Sequence, residues 1–225
     1  MLISLIVPVL NDTVALEKLL RSQAVDTETE IVVVDGGHDR AIDQLLETRP
    51  DAMLIRSRTG RGIQMNTGAR IARGSWLLFL HADSELPHYW KEAIQRATED
   101  PILVGGWFRF RLNSSAWQAR IIEYLVAWRV RFLRLPYGDQ GIFVRRDLFE
   151  RLGGYREWPL MEDVDFVRRL ARVGSIRELP VALTTSARRW ERDGWLRRSA
   201  RNLALVGLYF FGVPPGRLAR WYCRS

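Results

Sequence analysis

Apolar and polar positions alternate in blocks along this chain. Residues 2–9 are almost continuously apolar and read as a strand buried on both faces. Leu16, Leu19 and Leu20 follow at helical spacing and predict a helix over 13–24. A second apolar run, 30–34, ends in Asp35, Gly36 and Gly37. A helix over 40–48, a strand over 52–55, a basic glycine-bearing loop over 58–62 and a helix over 63–73 come next. They lead into a fourth apolar strand, 76–80, that breaks into His81, Ala82 and Asp83. Strands alternating with helices in this way predict an α/β fold with a parallel, doubly wound sheet.

The pattern changes after residue 100. Residues 103–112 mix glycine with alternating aromatics and arginines, as a strand of a mixed sheet does. Residues 115–134 predict a basic amphipathic helix with Ile121, Leu125, Trp128 and Phe132 near one face. A short strand over 141–144 precedes a helix that runs to Leu152, and Phe166, Val167 and Leu170 point inward from a helix over 163–173. One more helical stretch ends near Pro214 and Pro215. Residues 203–213 are the most apolar tract. As a helix they reach about 16 Å, roughly half of a bilayer's hydrocarbon core of about 30 Å. Core packing is the favoured reading for that tract, and interfacial contact is the alternative left open by the arginines on both sides of it.

With 225 residues and 47% hydrophobic content, one domain with a full core is expected, without help from disulfides. The single cysteine, Cys223, cannot staple a fold, so a reducing, cytoplasmic setting is the expectation. The apolar N-terminus lacks a basic leader region and is interrupted by Pro8 and Asn11, so it reads as a strand and not as a signal peptide. The net charge of +8 and pI near 10.3 call for an anionic partner: nucleic acid, a membrane surface or a phosphorylated small molecule. Lys18 and Lys91 are the only lysines among 34 basic residues, and arginine favours bidentate phosphate contacts. The arginines are scattered and no nucleic-acid recognition motif is present, which counts against nucleic acid. A basic nucleic-acid-binding or peripheral membrane protein without catalysis remains the alternative class.

Four acidic spots follow strand ends or open helices: Asp12, Asp35, Asp83, and Glu162 with Asp163 and Asp165. In a doubly wound sheet the strand ends converge on one edge, where ligands bind. Carboxylates brought together repel unless a cation joins them, and a magnesium-type ion sharing a substrate phosphate satisfies that need. Each position also has a plainer reading. Asp83 and Ser84 can cap a helix starting near Pro87, Glu162 and Asp163 can cap their own helix, and Gly138, Asp139 and Gln140 can be a simple turn. No dinucleotide fingerprint or P-loop is present.

Taken in order, the motifs resemble the family-two glycosyltransferases. They are VPVLND at 7–12, EIVVVDGGHDR at 30–40, GRGIQMNTGARIARGSWLLFLHADSELP at 60–87, MEDVDF at 161–166 and SARRWERDG at 186–194. That resemblance implies a GT-A fold: a Rossmann-like, mostly parallel sheet flanked by helices, with further helices at the C-terminus. It implies a single domain over 1–225, with a nucleotide-binding half at 1–100, an acceptor and catalytic half at 101–195 and a helical extension at 196–225. The implied reaction moves a sugar from a nucleotide-diphosphate donor to an acceptor hydroxyl, with inversion. The acceptor is an unidentified small or lipid-linked molecule, and peripheral contact with the inner face of a membrane fits a lipid-linked one.

The same resemblance assigns roles. Pro8, Asp12, Asp35, Arg61 and Asn66 would contact the donor nucleotide, and Arg188 and Arg189 its diphosphate. Asp83 would hold Mn2+ or Mg2+. Asp163 would be the general base, with Glu162 in support of the acceptor. Trp190 and the turn Gly138, Asp139 and Gln140 would form the acceptor pocket. His81, which the resemblance places among the donor-binding residues, stands where the family has the first aspartate of its D-x-D motif, so strict metal dependence does not carry over. A histidine there, with PYGDQGIFVRRDLFERLGGY at 136–155, is similar to a bacterial branch named for arsenosugar biosynthesis.

Overall fold

The computed structural model describes residues 1–23 and 26–223. Ala24, the last residue of the helix expected over 13–24, and the Cys223 side chain lie outside that description. The first half follows the expected alternation: β1 (Ile3–Val9), α1 (Thr13–Ser22), β2 (Thr29–Asp35), α2 (Arg40–Glu47), β3 (Ala52–Arg56), α3 (Arg61–Ile71) and β4 (Trp76–Phe79). Asp12 and Asp39 cap α1 and α2 by accepting from the backbone N–H groups of Ala15 and Ala41. Helix α3 opens two residues earlier than its apolar pattern suggests, because Gly60, at φ 142°, turns the chain at its N-cap. Arg61 therefore sits on the first turn of a helix and not in a loop.

The second half contains β5 (Ser84–Glu85), α4 (Trp90–Thr98), β6 (Leu103–Asn113), α5 (Trp117–Leu133), a single 3-10 turn at Gly138–Gln140, β7 (Ile142–Arg145) and α6 (Arg146–Arg151). After these come α7 (Glu162–Leu170), β8 (Ser175–Ser186), α8 (Arg188–Asp193), α9 (Trp195–Phe210) and α10 (Pro215–Cys223). The structure departs from the local pattern at three places. Asp83 and Ser84 cap nothing: Ser84 pairs with Thr185 in the sheet, and α4 opens at Trp90 without a side-chain cap. Strand β8 was not anticipated, because Pro180 interrupts its pattern. In the sheet, Phe108 pairs with Leu179 and Arg109 with Ala182, so Pro180 falls in a bulge where no ladder hydrogen bond is lost. Pro215 opens a second helix inside the helical extension expected over 196–225, at the position where a missing N–H costs nothing.

The eight strands form one sheet in the order β3-β2-β1-β4-β7-β6-β8-β5, and four of the seven neighbouring pairs are parallel. On one face, Leu5, Val33 and Leu78 pack beneath Leu16, Ile42 and Ile94 of α1, α2 and α4. On the other, Ile6, Val32 and Phe79 pack beneath Met65 of α3, Phe149 of α6 and Phe166 of α7. Helix α3 lies very close to the sheet. A Cβ on Gly68 would come within 2.6 Å of Ile6 and 2.9 Å of Val34. That closeness lets the buried Gln64 amide donate to the carbonyls of Val9 (2.7 Å) and Val34 (2.9 Å), tying the ends of β1 and β2 to the first turns of α3. Among the described residues, no helix is long and apolar enough to cross a membrane.

Candidate active site

The carboxyl ends of β1, β2 and β4, the first turn of α3, the start of α7 and the end of β8 meet at one edge of the sheet. A cleft there is lined by Pro8, Asp12, Gly60, Arg61, Gln64, His81, Asp83 and Arg189, among others. A cavity of about 350 Å³ adjoins it, lined by Asp139 and Asp163 on one side and by Trp190 and residues of α9 and α10 on another. Arg61, His81, Asp83 and Arg189 line both spaces. They form the common wall of the cleft at the strand ends and the adjoining cavity.

Arg61 organises this boundary. Its Nε donates to the buried carboxylate of Glu162, its Nη2 lies 4.0 Å from Asp163, and its Nη1 lies 3.4 Å from Nε2 of His81. Burial opposes the Arg61 charge, but Glu162 and Asp163 more than offset it and raise the pKa further. His81 is the reverse case. Burial, with Arg61 and Arg189 nearby, pushes its pKa well below the ordinary imidazole value. The ring is neutral at physiological pH, and the nitrogen facing Arg61 can accept a hydrogen bond.

Asp163 is held by two backbone groups: Gly138 donates its N–H to Oδ2 at 2.7 Å, and Val164 donates to Oδ1 at 2.8 Å. Met161, at φ 67°, turns the chain immediately before α7 and brings Glu162 and Asp163 in together. Glu162 is 1% exposed, lines neither space, and leaves Oε2 without a hydrogen-bond partner. Burial, with the charge of Asp163, holds its carboxyl above the usual range against the pull of Arg61. Asp139 lines the cavity. Burial pushes its pKa up to about 6, aided by Asp163 and Asp83 and opposed by Arg129 and Arg61, and its Oδ1 is buried without a partner.

Asp83 lies 3.7 Å from Arg189 and 3.9 Å from Arg188, while Arg188 itself bonds Asp12. The described residues contain no group of three or more His, Cys, Asp and Glu side chains placed to hold a metal. One carboxylate and one neutral imidazole lining the same two spaces do not make an all-protein cage. They do fit a magnesium-type ion that takes most of its ligands from a diphosphate.

Of the residues singled out from the sequence, Pro8, Asp12, Arg61, His81, Asp83, Asp139, Asp163, Arg189 and Trp190 line one or both spaces. Glu162, Asp35, Asn66, Gly138 and Gln140 line neither space, and nor does Arg188, which lies exposed at the surface, paired with Asp12 and 3.9 Å from Asp83. Asp35 is fully buried and accepts from the N–H groups of Gly37 (2.7 Å) and Asp39 (2.9 Å) and from Arg56. Asn66 bonds both ends of its amide to the backbone of Tyr155, at 2.8 and 2.9 Å. Gln140 accepts from Arg129 and from the Tyr137 N–H and donates to the Phe108 carbonyl, fixing the turn to β6. Gly138 is the point of closest approach in that turn. Sequence reasoning missed Gln64, Arg129, Tyr137 and Arg198. Arg129 stacks on Tyr137 at 3.4 Å from the ring centre, and the buried Arg198 bonds Asp193 at 2.6 Å and lines the cavity. Only Gln64 had a usable signal, as a polar residue on an otherwise small, sheet-facing helix surface.

Residues 4–153 match the family profile described as Glycosyl transferase family 2. A PGL/p-HBAD biosynthesis glycosyltransferase of Mycobacterium bovis is 32% identical over 179 residues, covering 72% of this chain and 67% of the relative. A mannosyltransferase of Pyrobaculum calidifontis, solved with GDP-Man and Mn2+, superposes with TM-score 0.61 at 23% identity, over 81% of this chain and 56% of that one. TarS residues 1–349 of S. aureus, solved with UDP-GlcNAc, superpose with TM-score 0.64 at 20% identity, over 83% of this chain and 58% of that one. The chain thus spans less than two thirds of these solved relatives. At these identities the superpositions establish the shared GT-A architecture alone.

Proposed function

The chain belongs to glycosyl transferase family 2, and we propose that it moves a sugar from a nucleotide-diphosphate-sugar donor to an acceptor hydroxyl with inversion at the anomeric carbon. The observation that carries this reading is the pair of spaces sharing Arg61, His81, Asp83 and Arg189 as their common wall. The donor nucleotide lies in the cleft over Pro8 and Asp12, its diphosphate reaches Asp83 and the arginines, and the acceptor occupies the cavity before Asp163. Residues 1–100 supply most of the donor side, and residues 101–195 most of the acceptor side.

In this mechanism an oxygen of Asp163 takes the proton of the acceptor hydroxyl. That hydroxyl's oxygen attacks the anomeric carbon from the face opposite the diphosphate. The bond from carbon to diphosphate breaks, and its electron pair leaves with the diphosphate. The N–H groups of Gly138 and Val164 fix the direction of the carboxylate, while Arg61 and Arg189 neutralise charge growing on the leaving group. Mn2+ or Mg2+ held by Asp83 and diphosphate oxygens would add electrostatic stabilisation at that position. Glu162 serves from behind, anchoring Arg61.

The curated relative above is named for PGL/p-HBAD biosynthesis and not for arsenosugars. The acceptor class proposed here is therefore no finer than a hydroxyl. A thermal-shift panel of UDP, GDP and dTDP, each with and without Mn2+, tests the donor reading. At about 100 times its Kd, the right nucleotide stabilises the fold by roughly 2.7 kcal/mol. No shift with any of them would remove the donor site.

A further inference from the structure

Helix α5 turns its larger apolar face outward. Trp117, Ile121, Tyr124, Leu125, Trp128 and Phe132 follow helical spacing along one side, and each is 46–71% exposed. The inward side carries the smaller set Ala119, Ile122, Val126 and Val130. A helix that only completes a core does the opposite. Four aromatic and two aliphatic side chains leave several hundred Å² of apolar surface open, at or beyond the largest patch of an ordinary soluble protein. A second stripe, Leu196, Leu203, Phe210 and Phe211, stands outward on and just after α9, which packs beside α5. The apolar tract at 203–213 is therefore divided, with Leu205 and Val206 buried and Leu203, Phe210 and Phe211 facing solvent.

Charge identifies the occupant. Helices α5, α9 and α10 hold eight arginines and one carboxylate, Glu123; Arg198 and Arg201 pair with Asp193 and Arg129 packs on Tyr137, while Arg131, Arg197, Arg217 and Arg220 are exposed. Glu123 is taken up by Arg120 and by the Leu112 N–H. Arg131 and Arg134, at the C-terminal end of the stripe, are exposed and form no ion pair with any described residue. A second copy of the chain would bring the same cationic rim against itself. Nucleic acid would match the arginines but leave Ile121, Leu125, Leu196 and Leu203 without a partner. An anionic bilayer surface satisfies both: apolar side chains enter the acyl boundary, Trp and Tyr sit at headgroup level, and arginines meet lipid phosphates.

We propose that the outer face of α5, with the neighbouring stripe of α9, docks this protein on an anionic lipid surface without crossing it. Helix α9 also presents Asn202, Leu205 and Val206 to the cavity. The docked face and the cavity wall are thus two sides of the same helix.

The test is co-sedimentation with vesicles. Binding is expected to phosphatidylcholine vesicles containing phosphatidylglycerol, more weakly to pure phosphatidylcholine, with a sharp loss in 0.5 M salt, on the order of the electrostatic contribution of several arginines. Leu125→Glu with Trp128→Glu should weaken binding about tenfold or more, since charges enter the membrane-facing surface. Arg131→Glu with Arg134→Glu should abolish the preference for anionic lipid. Neither pair touches the cleft, so melting temperature and the nucleotide-induced shift should stay unchanged, which separates this surface from the transferase site. Absence of binding to anionic vesicles overturns the proposal. So does a dimer in sedimentation velocity that Trp128→Glu dissociates, or tighter binding to RNA or DNA than to vesicles.

Discussion

Gly138 and Asp163 are locked together at the cavity wall. The Gly138 N–H donates to Asp163 Oδ2 at 2.7 Å, and a Cβ on Gly138 would lie 3.3 Å from that oxygen and 3.2 Å from Nε2 of His81. The backbone of one residue thereby orients the proposed base, and its missing side chain lets the turn approach.

Replacing Gly138 by alanine should push Asp163 and His81 apart by a few tenths of an ångström. Turnover should drop about 10- to 100-fold with donor affinity nearly constant, as expected when a reacting group is misplaced. Steady-state kinetics with nucleotide titration checks this. A fall in affinity matching the fall in rate would mean that the turn shapes the donor cleft instead.

Asp163→Asn keeps a side chain of the same shape but removes the proton acceptor. It should fold, bind nucleotide diphosphate as tightly as the unmodified chain, and lose about 100-fold or more in transfer rate. Turnover near the unmodified value would exclude Asp163 as the base.

Arg61→Met leaves Glu162 buried without its cation. The loss should be about 2–3 kcal/mol in urea unfolding, below the 3–5 kcal/mol of a fully buried pair, because the Arg61 side chain is 35% exposed. Arg61→Met combined with Glu162→Gln should recover part of that stability, since no orphan charge remains. Activity should not return, because the cation proposed to face the diphosphate is still missing.

The Asp139 carboxyl has a folded pKa near 6 against an ordinary value of 3.8. Between those values the folded state holds a proton that the unfolded state has released, so this group's contribution to stability falls as pH rises from about 4 to about 6. Above that window a buried, partnerless carboxylate oxygen destabilises the fold. Asp139→Asn should raise the melting temperature by a few degrees at pH 7.5 and by little at pH 4. Melting curves at the two pH values give the comparison, and an equal gain at both would show that ionisation is not the cause.

Much of this was legible in the chain. The apolar blocks fixed β1 to β4 and the helices between them, because a strand buried on both faces must be apolar along its whole length. The ordered motifs single out Asp12, Asp83, Asp163 and Arg189, each of which lines the cleft, the cavity or both. The rest was hidden for identifiable reasons. Strand β8 carries a proline that only a bulge against β6 accommodates. Arg129 and Arg198 resemble every other arginine in a basic sequence until their partners are known. Asp35 and Asn66 sit in family motifs, yet the turn after β2 and the backbone of Tyr155 occupy their hydrogen bonds.

By itself the sequence determined which residues could meet at the carboxyl edge of the sheet, because strand ends follow from local hydrophobic pattern and converge on one edge of a doubly wound sheet. The tertiary structure decided how they meet: Arg61 between Glu162, Asp163 and His81, and Asp163 beneath the Gly138 N–H. It also decided the direction of α5. Periodicity shows that a helix has an apolar face, but either face of α5 could have packed on the sheet. Contacts distant in sequence, with β6 and α9, selected the smaller one and left the aromatic stripe outside.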